Sequence, residues 1–446
     1  MSLFACVPSS SEDGVTRAVS DITSSPQALE TASFQILRPM PPVMANADIQ
    51  DAFVDLAFQL ESGKTLDRLS RFEGTVKLRL LGPTPDSLRK DLSQLLHRLR
   101  SEALIDIQLV DSTSDYNITI QSIERRKIQE YIPHAACFVA VNVNDIDEYA
   151  QYRGTERTSW SYVNQRQKAT MFIPNDTSAQ EIRDCLNEEL AQALGPLNDL
   201  YRLSDSVFND DNMHTVLTGF DMLVLRAFYD PALSSGMTRA EVEAILPSVL
   251  RRLNPVGETL PSRGYQPTPR AWSSAIAAAM GPGSSVQQRQ DAARKALQIA
   301  AAAGWNDHRR AYSHYVKGRV TALTSPSKAQ HDFLVAYDLF SSIPNSKLHR
   351  AYVAPQIAGY ALAAGDAGNA LKILNEYQPV AERHQNAALL SQIMMIRAEA
   401  MELSGRATEA RSIRLDSLGW ARYAFGSQRA VNERLAQVAR LNPLNK

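Results

Sequence analysis

The sequence predicts two units of different class: an α+β unit built on a mixed sheet, then an all-α helical-repeat unit of the solenoid kind. Three observations point there. Between Asn46 and Leu194 the hydrophobic period switches repeatedly between helical and strand spacing. Beyond Ser284 the chain turns Ala- and Leu-rich and reads as helix after helix. Between them lie Pro255, Pro261, Pro267 and Pro269 with Gly257 and Gly264. Such a stretch interrupts regular structure, because Pro lacks an N–H and fixes φ.

The elements follow in order. Ile49, Phe53, Leu56, Ala57 and Leu60 share a helical face that ends at Gly63. Thr75–Leu81 alternates Val76, Leu78 and Leu80 and reads as a strand, closed by Gly82-Pro83. Leu88, Leu92, Leu95, Leu96 and Leu99 mark a helix over Thr84–Ala103. Ile105–Val110, Tyr116–Ile123, Ala135–Val143 and Lys168–Ile173 read as strands, the last stopped by Pro174. Ser178 with Glu181 three residues on predicts a capping box. The helix it starts runs to Leu194 and stops at Gly195-Pro196. An irregular stretch reaches Gly219. Helices over Asp221–Tyr229 and Thr238–Leu253 follow, the second expected to kink or break at Pro247. The expected division is a flexible leader over 1–35, an α+β unit over 36–253, a linker over 254–285 and helical repeats over 286–446.

The last region carries an internal echo. A shift of 40 residues sets Ala358 on Ala398, Gly365 on Gly405, Ala367 on Ala407, Ala370 on Ala410 and Ile373 on Ile413. Ala329 falls in the Ala370 place one unit earlier. Small residues where helices cross, with Gly at the turn, predict two or three antiparallel pairs. The skeleton resembles tetratricopeptide repeats, with a longer period.

The 446 residues are 44% hydrophobic and 21% charged, with net charge −1, which excludes a disordered chain and a global polyelectrolyte. The near-neutral sum hides two opposed segments. Asn175–Glu243 holds thirteen acidic and four basic residues; Val286–Lys446 holds twenty-one basic and twelve acidic. The basic array is expected to dock on the acidic unit or to meet an acidic partner. Basic and aromatic residues do not interleave, so nucleic acid is not an expected partner.

Three cysteines are too few for a disulfide scaffold. Leu3-Phe4-Ala5-Cys6 resembles the end of a bacterial lipoprotein signal, and the Ser-rich stretch to Pro26 resembles the tether behind a lipidated cysteine. Five residues cannot hold the basic and apolar regions of such a signal, so the reading needs a start further upstream or a trimmed chain. It implies lipidation of Cys6, membrane anchoring and the periplasmic face of the envelope. In that compartment Cys137 and Cys185 can pair; in the cytoplasmic alternative they are two buried thiols.

One constellation carries chemistry. Cys185-Leu-Asn-Glu188-Glu189-Leu-Ala-Gln192-Ala-Leu-Gly195-Pro-Leu-Asn198-Asp199 resembles the metzincin metallopeptidase motif H-E-x-x-H-x-x-G-x-x-H. Glu189 falls on the catalytic Glu and Gly195 on the Gly. Glu188, Gln192 and Asn198 fall on the three metal-binding histidines. Ser206-Val207-Phe208 and Leu217-Thr218-x-x-Asp221 resemble the turn and backing helix that follow this motif in matrixin-type enzymes. The run C-x-x-E-E-x-x-Q-x-x-G also resembles an uncharacterised family of bacterial secreted or lipoprotein domains, over Ile49 to Leu253, which uses positions Cys137 and Cys185. That resemblance implies a fold and no reaction.

Glu188, Gln192, Asn198 and Asp199 offer oxygen donors, poor for zinc and better for Ca²⁺, Mg²⁺ or Mn²⁺. Without a strong Lewis acid Glu189 has no activated water to serve. No cofactor is therefore expected, with a divalent cation as the alternative. The eight histidines are scattered, with no metal-binding spacing; His214 follows the turn region, within reach of the cleft, though a lone loop histidine is usually exposed. The expected function is a non-catalytic envelope protein that binds a protein or peptide through a pseudo-peptidase unit and helical repeats. The alternative is a metal-dependent hydrolase or peptidase with Glu189 as its base.

Overall fold

The computed structural model describes residues 15–18, 34, 40–111 and 114–445; Cys6 lies outside them. Strands and helices alternate through the first half. They are β1 (Val15–Ala18), α1 (Asn46–Phe58), β2 (Val76–Leu81), α2 (Asp86–Ser101), β3 (Ile107–Leu109), β4 (Ile118–Ile123), α3 (Arg125–Tyr131), β5 (Ala135–Val141), α4 (Ile146–Tyr152), β6 (Ala169–Pro174) and α5 (Ala179–Leu194). One six-stranded sheet has the order β1-β5-β6-β4-β2-β3. β3, β2, β4 and β6 are parallel, and β5 runs antiparallel between β6 and β1. The fold class is the expected one: a mixed α/β unit followed by a long run of helices. β1 lies inside the stretch read from sequence as leader.

The local chemistry explains the layers. Parallel β2 and β3 need a crossover, and α2 supplies it with Leu88, Leu92, Leu95, Leu96 and Leu99 buried. Successive residues of β5 point to opposite faces. Cys137, Val139 and Val141 join the main core with α5, while Phe138 and Ala140 pack with Ile128, Ile146 and Tyr149 of α3 and α4. Both faces of β5 and β6 are covered, so these strands read as continuous apolar runs.

Helices α6 (Gly219–Phe228) and α7 (Arg239–Leu253) complete this unit. α7 passes through Pro247 unbroken. The missing proline N–H leaves the Glu243 carbonyl free, and Gln50 Nε2 of α1 donates to it at 3.4 Å.

The second half is helical: α8 (Arg270–Met280), α9 (Val286–Ala302), α10 (His308–Thr321), α11 (Pro326–Ser342), α12 (Lys347–Ala363), α13 (Ala367–Arg383), α14 (Ala387–Leu403), α15 (Ala407–Phe425) and α16 (Gln428–Ala439). Short turns fold them into pairs α8/α9, α10/α11, α12/α13 and α14/α15. α8 lies within the expected linker, and its Trp272 is fully buried. The 40-residue echo has a structural meaning. Gly365 and Gly405 occupy left-handed turns at φ 83° and 77°, where a Cβ is disfavoured. Ala329, Ala370 and Ala410 begin successive second helices and are fully buried. No helix among the described residues is long and apolar enough to cross a membrane.

The two units meet along a seam. The array core takes in Tyr201 and Met213 from the irregular segment 195–218. Arg183 of α5 donates to the Gln385 carbonyl at 2.5 Å, and Ala388 N donates to Gln180 Oε1 at 2.9 Å. Tyr352 donates to the Met213 carbonyl at 3.1 Å, and Tyr423 to Asp91 at 2.8 Å. Hydrogen bonds and buried rings make this contact, among them His349 Nε2 and Asp211 Oδ2 at 2.9 Å.

Candidate functional site

α5 carries Cys185, Glu188, Glu189 and Gln192 and is fixed at both ends. Ser178 Oγ accepts from Glu181 N at 3.2 Å. The expected return bond is not made, because the Glu181 carboxylate is held by Arg125 at 2.6 Å and by Thr177. At the other end Arg166 donates to the carbonyls of Gln192, Ala193 and Gly195 at 2.6, 2.7 and 2.5 Å. A cation at a helix C-terminus satisfies its free carbonyls and opposes its dipole. Burial pushes the guanidinium down to about 10, so it stays charged at neutral pH. Gly195 lies against Phe228; a Cβ there would stand 2.8 Å from the ring.

The Cys137–Cys185 disulfide ties α5 to β5. Both sulfurs belong to the main core.

The motif residues do not converge as ligands. Every residue of α5 from Gln180 to Leu194 is buried, and Glu189 and Gln192 are fully so. Gln192 Nε2 donates to Asp199 Oδ2 at 3.3 Å. Asn198 turns away and donates to the Asp55 carbonyl of α1 at 3.1 Å. A zinc ion does not fit this set: two carboxamides and a carboxylate stand where imidazoles are needed, and one carboxamide is engaged elsewhere. Among the described residues no three His, Cys, Asp or Glu side chains are arranged to hold a metal ion.

What does assemble is a nest of carboxylates. Burial raises the Asp199 carboxyl well above its ordinary range, reinforced by Glu61, Asp210 and Glu188. Burial, with Glu188 and Asp211, pushes Asp210 up to about 7. Burial and neighbouring like charges therefore favour the protonated forms of Asp199 and Asp210. The sequence reading found Glu188 and Asp199, and Asp210 only within the acidic stretch 205–212 as a weak cation site; it did not find Glu61, and no helical spacing links these groups.

The turn behind α5 has its own lock. Asp221 accepts from Ser206 Oγ at 2.5 Å, Val207 N at 3.1 Å and Thr218 N at 2.7 Å. Thr218 and Asp221 form a capping box on α6. Phe208 is fully buried. A long loop can be buried only if its polar groups are paired inside, and these bonds do that.

The histidines overturn the sequence reading. His214 is 3% exposed, not a surface loop residue. Its ring lies 5.7 Å from that of His384 and 6.1 Å from that of His349, which lies 5.9 Å from His308. His214 Nε2 stands 3.3 Å from Asp205, and His308 Nε2 contacts the Tyr201 carbonyl.

Residues 46–248 match the model of an uncharacterised domain family, "Protein of unknown function (DUF2927)". No curated protein matches the chain. Among solved structures it is similar to a Rap protein complexed with competence and sporulation factor. The identity is 12% over 59% of this chain and 74% of that one, with a TM-score of 0.30. A likeness this low carries no argument about function.

Proposed function

We propose that the protein is a non-catalytic binding protein of the bacterial envelope, anchored through a lipidated Cys6. It engages a protein or peptide partner through a pseudo-peptidase unit and the helical array. One observation supports this above others: the helix in the active-site place is sealed from Gln180 to Leu194 between the sheet and the array. A peptidase needs that face open to a substrate backbone. The mixed sheet leading directly into this helix is the layout a zincin uses, which supports a peptidase-like ancestry for the frame. The disulfide fits an oxidising compartment.

The test is direct. The full chain is incubated with a proteome-derived peptide pool, with and without added Zn²⁺ or Mn²⁺, beside Glu189→Gln. No Glu189-dependent cleavage is expected, and its detection would sink the proposal. Palmitate labelling should disappear in Cys6→Ser. A displayed peptide library should enrich acidic sequences whose binding weakens with salt, because the array carries the excess basic charge.

A second reading, a metal-dependent hydrolase with an oxygen-rich site at Glu188, Glu189, Gln192 and Asp199, draws on the electrostatic interaction of Glu188 with Asp199 and the Gln192–Asp199 hydrogen bond. That reading requires a melting temperature raised by Mn²⁺ or Ca²⁺ in the parent and unmoved in Asp199→Asn.

A further inference from the structure

Four of the eight histidines stand in a row, His308–His349–His214–His384, with neighbouring rings 5.7 to 6.1 Å apart. They come from four places: the start of α10, the first turn of α12, the 195–218 segment and the C-cap of α13. The row spans the seam, one ring from the α/β unit among three from the array. His214, His308 and His349 are each at least 97% buried. The Nδ1 atoms of His214 and His349 have no hydrogen-bond partner. We propose that this row is an acid-sensitive latch: the seam is closed at neutral pH and opens when His308 and His384 are protonated.

The charge environment sets the direction. His308 faces His349 on α12, Asp307 beside it, and Asp211 and the Tyr201 carbonyl on the α/β unit; burial first, then His349, push it down to about 4. His384 faces His214 and Asp205 on the α/β unit, His349 on α12 and Arg383 on its own helix; burial first, then His214, push it down to about 4. His214 faces Asp205, Asp211 and Asp221. Burial lowers it, but these carboxylates outweigh burial and leave it raised. Asp205 and Asp211 resist burial through their histidines and are lowered.

The signs then follow. A group lowered on docking takes up a proton more readily once the seam opens. His308 and His384 therefore withdraw support for the closed seam as pH falls from about 6.5 to about 4. His214, raised, acts oppositely, and its support is lost as pH rises through its folded value. Asp205 and Asp211 withdraw support only below the ordinary carboxylate range. Between pH 6.5 and 4 two histidines oppose one, so acid opens the seam.

Small-angle scattering of the full chain tests this, with circular dichroism at 222 nm to show that the helices persist. The radius of gyration should rise reversibly between pH 6.5 and 4.5 at unchanged ellipticity. In His308→Gln/His384→Gln the midpoint should fall by about one pH unit. Where that variant fails to fold at pH 7.5, His384→Gln alone serves, with roughly half the shift. A parent that stays compact to pH 4.5, or a variant that opens at the parent's midpoint, overturns the latch. So does expansion at pH 7.5 on adding EDTA that zinc reverses, which would make the row a metal site.

Discussion

Arg166 stabilises α5 through three carbonyls and, among the described residues, no carboxylate. Its guanidinium also stacks 4.9 Å from the Trp160 ring. Removing it leaves buried acceptors unpaired at the helix end. Arg166→Ala should cost about 3 kcal/mol in urea unfolding, the order expected when buried polar groups lose charged partners. Nothing in the sequence marks this arginine; it lies 26 residues before Gln192 in an irregular stretch. The carboxylate nest gives a pH prediction at the same scale. Asp210, near 7 when folded and near 3.8 when unfolded, binds a proton more tightly in the folded chain. Its contribution is fully present below the unfolded value and is lost as pH rises through 7. Asp210→Asn should therefore raise the melting temperature most at pH 8, less at pH 5 and least near pH 4. A variant with the parent's pH dependence would refute this account of the nest.

At the scale of elements, α5 shows what spacing can and cannot give. Its start at Ser178 and its stop before Gly195 are legible, because capping and chain reversal are local chemistry. The fate of Glu181 is not, since Arg125 competes for it from 56 residues away. Pro247 reads as a kink or a break; α7 does not break there, and Gln50 on another helix takes up the orphaned carbonyl. The short helices α3 and α4 escape notice because seven residues hold too few periods to show one. The disulfide closes a sequence separation of 48. Chain entropy for such a loop sets the cost of Cys137→Ala/Cys185→Ala at about 4 kcal/mol, measured by denaturant unfolding under non-reducing conditions. A loss below about 1 kcal/mol would mean that packing alone holds α5 to β5.

For the whole molecule, the seam is the consequential feature. The expected linker is in part a helix of the array, with Trp272 edge-on to Tyr201 at 4.9 Å between ring centres. The two units therefore share buried surface, and the repeats are not a loosely tethered appendage. A protease site inserted after Gly264, an exposed residue at φ 57°, should give two fragments that co-elute at pH 7.5. Separation of the fragments at that pH would show the shared core to be too weak to hold them.

The sequence by itself determined the class of each unit, most of the long elements and the repeat echo. These are local properties: periodicity, caps, turn residues and the identity of side chains at fixed spacing. It named Cys137 and Cys185 as a pair only on the condition of an oxidising compartment, and dismissed the histidines. Only the tertiary structure brought Cys137 to Cys185, Glu61 and Asp210 to Asp199, and His308, His349 and His384 to His214. The physical reason is that proximity across the chain is set by how helices pack and loops are buried. Charge interactions that shift protons act through space at a few ångströms, whatever the distance along the sequence.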